Sequence, residues 1–563
     1  MTTVKSEGVA LDWLWCFAWT LASSLWCLTA ANALGATFDE PFYIAQGLEF
    51  WRNGTHGRLL SKGTMPLPVD LTTLPIYLWE RWSGEAVDPV SDLEHVLPWA
   101  RAATLLFWWL LLAYGWRIGR SLAGPWGGRL ALALLAVEPT LLAHASLATT
   151  DLAVTACLMA LAYHFRMGRE AGWERRLALP ACWYAAAVLA KASALVLGPL
   201  CMFVIEVERL ARAGAFTRNL EAGGGLAWIR ATLGTLKPFR TDAIRVCAAG
   251  LIAVFIFCGS DWKAEPSFVA WTHSLPEGPT AHVMQAIAEH LRIFPNAGQA
   301  LVRQIQHNIQ GHAVFLLGEV HRRAFWYYFP VALTMKLSVP LLILPLVILL
   351  LRPRALVNWA TVTAAALVVF SLTSRVQIGI RLVLPLVGLA AVGLAAAIVR
   401  TSHAVSPGWR RRTVLAGATA GLLWTGSAAV LVWPHALCYT NQLWGGTERG
   451  YLLLSDSNCD WGQGLKDLAR WQQAHGGAPL DVWYFGTDPL LARLPVHPLP
   501  LHALPIAGPE DVATRLHGRY LAASTTLLHG GYVPEPRRRS LEFLRARRPI
   551  DRTMTFLIYD FAP

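Results

Sequence analysis

Charge is scarce in this 563-residue chain: Asp, Glu, Lys and Arg make up 15% of it, against about 25% in ordinary soluble domains. With 55% hydrophobic residues, 26 Trp and 21 Phe, too little polar surface remains to cover a water-soluble fold. The same figures exclude disorder, because disordered segments are poor in aromatic and apolar residues. Metal-type cysteine spacing is also lacking, with no CxxC and no Cys/His pattern. Seven of the nine cysteines lie in or beside apolar runs, where Cys acts as a small hydrophobe. Cys438 and Cys459 alone fall in polar sequence; export of that region would permit a disulfide between them, although no spacing demands one. Internal repeats and low-complexity tracts are absent.

What the chain has instead is long apolar runs. A helix needs about 20 apolar residues to cross a hydrocarbon core of about 30 Å. Such runs lie near 11–34, 99–118, 126–144, 149–166, 177–190, 193–207, 243–260, 329–351, 355–373, 381–400 and 412–433. The expectation is therefore an α-helical polytopic membrane protein with about 11 transmembrane helices. The first run is too long for a signal peptide and reads as an anchor. The pair 177–190 and 193–207 reads either as two spans or as one kinked segment.

Positive charge is unevenly spread between the connections. Arg117, Arg120 and Arg129, Arg166 to Arg176, Arg209 to Arg245, Arg352 and Arg354, and Arg400 to Arg412 fall on one side. The short connections 145–150 and 374–380 opposite hold only Arg375. The positive-inside rule then puts the N-terminus in the cytoplasm and the C-terminus outside. It also accounts for the net charge of +12 as loops facing anionic lipid, so nucleic acid is excluded as a partner. The expected division is a transmembrane domain over 1–433, with long outer loops at 35–98 and 261–328, and a small extracytoplasmic α/β domain over 434–563. In the latter, 464–473 reads as helix; DVWYFG (481–486), RYLAAS (519–524) and TMTFLIYDF (553–561) read as strands, and Pro-rich 495–509 as an irregular connection.

Ionisable residues near the bilayer are costly and mark candidate sites. Asp39 and Glu40 follow the first span in GATFDEPFYIAQGLEFW; two adjacent carboxylates repel, which leaves one as a proton acceptor near neutral pH. A helix N-cap before Pro41 is the plainer alternative. Asp151 opens the span after SLATT, where it either caps the helix or faces the same outer pocket as Asp39. Lys191, Arg101 and Arg381 stand at outer span ends, suited to an anionic ligand or to snorkelling toward headgroups. His312 precedes the aromatic stretch Phe325 to Tyr328 and joins the substrate-binding candidates; its spacing is not that of a metal site. The run Asp456-Ser-Asn458-Cys-Asp460 lacks the Gly and Glu of a calcium loop and reads as a capped turn tying the outer domain to the membrane face.

The segments DEPFYIAQGLEFWRNG, PTLLAHASLATTD, the Lys191 stretch, GHAVFLLGEV…WYYFPVALTMK, IGIRLVLPL and DSNCDWGQGLKDLARW occur in an order that resembles a known family. They resemble the bacterial branch of the dolichyl-phosphate-mannose–protein mannosyltransferase superfamily, which is glycosyltransferase family 39-like with a GT-C fold. One departure is KGTMPLPVD in the first loop, where consecutive prolines are expected. The resemblance implies a glycosyltransferase of the bacterial cytoplasmic (inner) membrane. It would move a sugar from a polyprenyl-phosphate donor to a protein, lipid or glycan acceptor on the outer face, with inversion. Asp39, with Glu40 beside it, takes the catalytic position; Asp151, Lys191, Arg101 and Arg381 take substrate-binding ones. No cofactor or metal is required, since fixed cations can hold the departing phosphate. A transporter or flippase for a lipid-linked or anionic substrate is the alternative from another class, though it predicts internal symmetry that is not seen. A scaffold without catalysis is the third.

Overall fold

The computed structural model describes residues 2–221, 224–260, 262–290, 292 and 295–561. Helices dominate, and the chain is a multi-pass α-helical membrane protein. Among the described residues, five helices are long and apolar enough to cross a membrane: Ala10–Ala33, Leu93–Val137, Leu226–Cys258, Ile380–Ala404 and Trp409–Leu431. Two bent pairs raise this to seven. Every expected span falls on a helix, but not always as one straight rod.

The 45-residue helix Leu93–Val137 reverses direction. Its backbone leaves the helical region at Ala123 and Gly124, the latter at φ 72°. A Cβ on Gly115 would lie 2.2 Å from Leu135, and one on Gly119 would lie 2.4 Å from the Gly127 carbonyl. Contacts across 20 residues are impossible in a straight helix that rises about 1.5 Å per residue. The two arms therefore run antiparallel, as expected from 99–118 and 126–144, and glycines let them approach. The second arm ends at Val137 rather than 144; Pro139–Ala145 follows as a separate turn, bent 113° from Thr150–Gly168. The expected span 329–351 is corrected likewise: Tyr328–Lys336 and Val339–Leu351 meet at 107°.

Ion pairs resolve the ambiguous pair near 190. Arg169, just after Thr150–Gly168, bonds Glu206 and Asp242, and Arg176 bonds Asp242. At the other end of that helix, Asp151 pairs with Lys191. The chain must therefore climb through Leu179–Ala190 to Lys191 and descend through Ala194–Arg212, which makes two segments.

The basic connections also gather at one end of the bundle. Arg120 and Arg129 pair with Asp12, Arg400 donates to the Leu122 carbonyl, and Arg212 donates to Val357. Asp39, Asp151, Lys191 and Arg381 lie at the opposite end. The helix Leu384–Ala404 links the two ends through the centre, and most of its residues are buried.

After Leu431 the chain forms a five-stranded sheet. A small hairpin, β1 (Val314–Leu316) and β2 (Glu319–His321), precedes it. The sheet contains β3 (Leu480–Trp483), β4 (His497–Pro498), β5 (Tyr520–Ser524), β6 (Asp551–Arg552) and β7 (Phe556–Asp560) in the order β4-β3-β5-β7-β6. β3 is parallel to β4 and β5, while β7 is antiparallel to β5 and β6. The helix Leu465–Ala474 presents Leu465, Leu468 and Trp471, spaced by one turn, to Val482, Ala522 and Phe556. Trp461, Leu437 and Tyr439 join a second apolar cluster with Ala143 and Ala428 of the membrane helices.

Candidate active site

Two backbone stitches fix the first loop against the C-terminal region. Gly35 N–H donates to the Gln463 carbonyl at 2.9 Å, and Phe38 N–H donates to that of Trp461 at 2.8 Å. Thr487 Oγ1 adds a 2.6 Å bond to the Phe38 carbonyl. Asp39 is thereby presented at the mouth of a cavity of about 850 Å³, lined mainly by apolar side chains. It occupies the N-cap position of Glu40–Asn53, yet its side chain makes no capping bond. The carboxylate turns instead to Arg381, with Oδ2 3.0 Å from Nη1.

Arg381 also approaches Asp151 Oδ2 at 3.8 Å, and its guanidinium lies 4.1 Å from the centroid of the Trp461 ring. That face-on geometry suits a cation–π contact in a desolvated site. Asp151 does not cap its helix either, since Lys191 Nζ donates to its Oδ1. Lys191 sits where the helix breaks, at φ −161° and ψ 135°, so its side chain projects into the cavity rather than along a helix face. Buried polar atoms normally find partners, but Asp151 Oδ2 and Arg381 Nε make no hydrogen bond. Both orphans belong to this constellation.

Among the sequence candidates, Asp39, Lys191, Arg381 and His312 line the cavity, and Asp151 is held at its edge by the two cations. His312 Nε2 faces that of His307, whose pKa burial, helped by His312, lowers to about 4.

Glu40 and Arg101 are not part of the cavity, which changes the expected Asp39–Glu40 dyad. Both side chains are fully buried, and they pair bidentately at 2.8 and 2.7 Å. Arg101 also donates to the carbonyls of Ala31, Leu34 and Gly35. Glu40 accepts from the Thr37 and Ala148 N–H groups at 2.8 Å. Burial alone would raise this carboxyl, but the guanidinium and these bonds outweigh it and hold Glu40 below its ordinary value. The pair ties the end of the first span, the Leu93–Val137 helix and the loop before Thr150 into one support behind Asp39.

Sequence reasoning missed a second wall. Asp456, at φ 58°, lies in the cavity and accepts a hydrogen bond from the Tyr532 hydroxyl. Burial raises the Asp456 carboxyl above its ordinary value, although Arg381 and Tyr532 draw it down. The rest of the Asp456–Asp460 run ties the region to the bundle, as expected. Asn458 Oδ1 accepts from Ile380 N–H at 3.1 Å, and the Asn458 carbonyl accepts from Lys336 Nζ at 2.6 Å. Asp460 accepts from Thr526 N–H at 3.1 Å and is raised to about 6 by burial. Lys62 is a further cation in the cavity lining, with no carboxylate partner among the described residues. Cys438 and Cys459 are free thiols, and Cys438 Sγ donates to the Cys459 carbonyl.

Fold and cavity together define a multi-pass membrane protein with charged groups converging on the mouth of an apolar chamber. No family model matches the chain, and no curated protein matches it. Among solved structures it is similar to ArnT from Cupriavidus metallidurans bound to undecaprenyl phosphate. That match has 14% identity and a TM-score of 0.45, and it covers 97% of this chain and 98% of the other. It is also similar to the apo Archaeoglobus fulgidus oligosaccharyltransferase, at 11% identity and a TM-score of 0.46, covering 94% of this chain and 72% of that one. Likenesses this loose leave function to be read from the cavity.

Proposed function

We propose that the protein is a GT-C glycosyltransferase that moves a sugar from a polyprenyl-phosphate-linked donor to an acceptor at the outer face of the bacterial inner membrane. The observation that carries this reading is the convergence of Asp39, Arg381, Lys191 and Asp151 at one mouth of an apolar cavity of about 850 Å³. The apolar walls suit an isoprenoid tail, and the cations suit the phosphate that joins it to the sugar. The orientation follows from the arginine-rich connections at the opposite end of the bundle, which the positive-inside rule assigns to the cytoplasm.

In this mechanism the donor phosphate draws on Lys191 and Arg381, each already paired with a carboxylate. As Arg381 turns to the phosphate, Asp39 loses its ion-pair partner and becomes free to take a proton. The acceptor oxygen or nitrogen attacks the anomeric carbon from the face opposite the phosphate, and its proton passes to Asp39. The bond between the anomeric carbon and the phosphate oxygen breaks, so the sugar is transferred with inversion and the polyprenyl phosphate leaves on the cations. Asp456 and Tyr532 stand on the C-terminal wall, where they hold the acceptor side of the chamber. Lys62 supplies further positive charge at the rim. The chemistry asks for a base, cations and a lipid groove, and these residues provide each.

Purified protein in liposomes, offered a panel of undecaprenyl-phosphate sugars and a membrane extract as acceptor source, tests the proposal. One donor is consumed with release of undecaprenyl phosphate. Consumption of none, by protein that binds undecaprenyl phosphate, contradicts transferase activity.

A further inference from the structure

A second cavity, of about 390 Å³, lies at the far end of the bundle and plays no part in the proposed transfer. Its lining includes Arg352, Arg354, Arg400 and His403, with Ala123 from the turn of the helical hairpin, and contains no carboxylate. Arg400 Nε and Nη2 are committed to the Leu122 carbonyl at 3.1 and 2.9 Å. Arg352 and Arg354 make no ion pair among the described residues. The neighbouring carboxylate, Glu208, is engaged by Arg212. Two guanidinium groups are therefore left facing one concave space without a counter-charge.

The depth of this cavity identifies what it meets. Arg381 lies in the turn that opens the central helix and Arg400 lies near its far end, and 19 residues at about 1.5 Å each place them roughly 30 Å apart, one hydrocarbon thickness. The basic cavity thus lies at headgroup level in the leaflet opposite the active site, whichever way the chain is inserted. Immediately before Arg352, the helix Val339–Leu351 is apolar all round, and Leu346, Leu350 and Leu351 are 59%, 86% and 60% exposed. A cationic cup and an exposed leucine face are joined end to end. We infer that this is a binding site for an anionic phospholipid, whose phosphate is held by Arg352 and Arg354 in a cup that Arg400 also lines, while an acyl chain runs along Val339–Leu351. Guanidinium groups suit the phosphate because their planar donors engage its oxygens in pairs. Such a lipid bridges the hairpin turn, the segment after Leu351 and the end of Leu384–Ala404, the three elements that line the cup.

The test uses the full-length protein in a neutral detergent titrated with phosphatidylglycerol or phosphatidylcholine, with bound lipid counted by native mass spectrometry and the unfolding midpoint followed in parallel. Phosphatidylglycerol binds at least tenfold more tightly than phosphatidylcholine and raises the midpoint. Each arginine near the surface contributes roughly fivefold, so Arg352→Gln with Arg354→Gln weakens phosphatidylglycerol about thirtyfold. The midpoint in phosphatidylcholine stays where it was, and Arg352→Lys with Arg354→Lys retains most of the binding. Equal affinity of the unaltered protein for the two lipids overturns the assignment and needs no variant. Displacement of the lipid by millimolar inorganic phosphate also overturns it, since the cup then takes a free anion. Undiminished phosphatidylglycerol binding by the glutamine variant does the same.

Discussion

At the start of the helix Glu40–Asn53, advancing one residue turns a side chain by about 100°. That rotation sends Asp39 into the cavity toward Arg381 and Glu40 into the interior toward Arg101. Adjacency in sequence could not reveal this, because it shows neither which way successive carboxylates point nor where their partners wait 61 and 342 residues away. The two residues therefore respond differently to substitution. Glu40→Gln leaves Arg101 buried without its counter-charge, a loss of about 3–5 kcal/mol that thermal unfolding detects. Undecaprenyl phosphate affinity of the folded fraction stays within a few-fold. Glu40 titrates below its ordinary value, so it adds stability that is present above the unfolded carboxyl pKa and lost as pH falls through the lower folded one. Acid unfolding curves of the wild type and Glu40→Gln should converge in that acidic range. At the cavity the sign of charge decides: Lys191→Gln weakens undecaprenyl phosphate binding roughly tenfold or more. Asp151→Asn frees Lys191 and leaves binding equal or tighter. Titration of both variants with the lipid phosphate measures this, and equal losses would remove the assigned role of Lys191.

Element boundaries were legible where apolar runs are long, and less so where helices bend. The central helix, Leu384–Ala404, and the last span, Trp409–Leu431, stand close to the expected 381–400 and 412–433. The break between Lys336 and Val339 and the turn at Val137 escaped, because periodicity within a run carries no information about direction. Strands β3, β5 and β7 and the helix Leu465–Ala474 followed from alternation and spacing, and they appear within a few residues. The hairpin turn at Gly124 offers an element-scale test. Gly119 and Gly127 cross so closely that a Cβ on either meets the other's carbonyl at 2.4 Å. Gly119→Val forces the arms apart, at a cost of about 1–3 kcal/mol, visible as a lower unfolding midpoint. An unchanged midpoint would mean the arms do not pack as described.

Across the whole molecule, Asp39, Asp151, Lys191, Arg381 and His312 meet the C-terminal region at one mouth, while the arginine-rich connections between the membrane helices collect some 30 Å away across the bilayer. The sequence carried the first half of this through intramembrane charge and the second through loop asymmetry. It did not carry Asp456 or Tyr532, because their place in the cavity depends on how the C-terminal region folds back over the first loop. Topology is open to direct measurement. With Cys182, the exposed native thiol, changed to Ser, cysteines placed at Leu220 and Leu443 should react with a membrane-impermeant maleimide from opposite sides of intact cells. Reaction from the same side would overturn the placement of the cavity at the outer face.

The most direct test of the account compares Asp39→Asn with the wild type, using the donor selected from the lipid-sugar panel. Base catalysis typically contributes 10²- to 10⁴-fold, so release of undecaprenyl phosphate should slow by at least about 100-fold, while binding of undecaprenyl phosphate itself is retained. Turnover at the wild-type rate would contradict the assignment of Asp39 as the base, and with it the reading of this cavity as a site of sugar transfer.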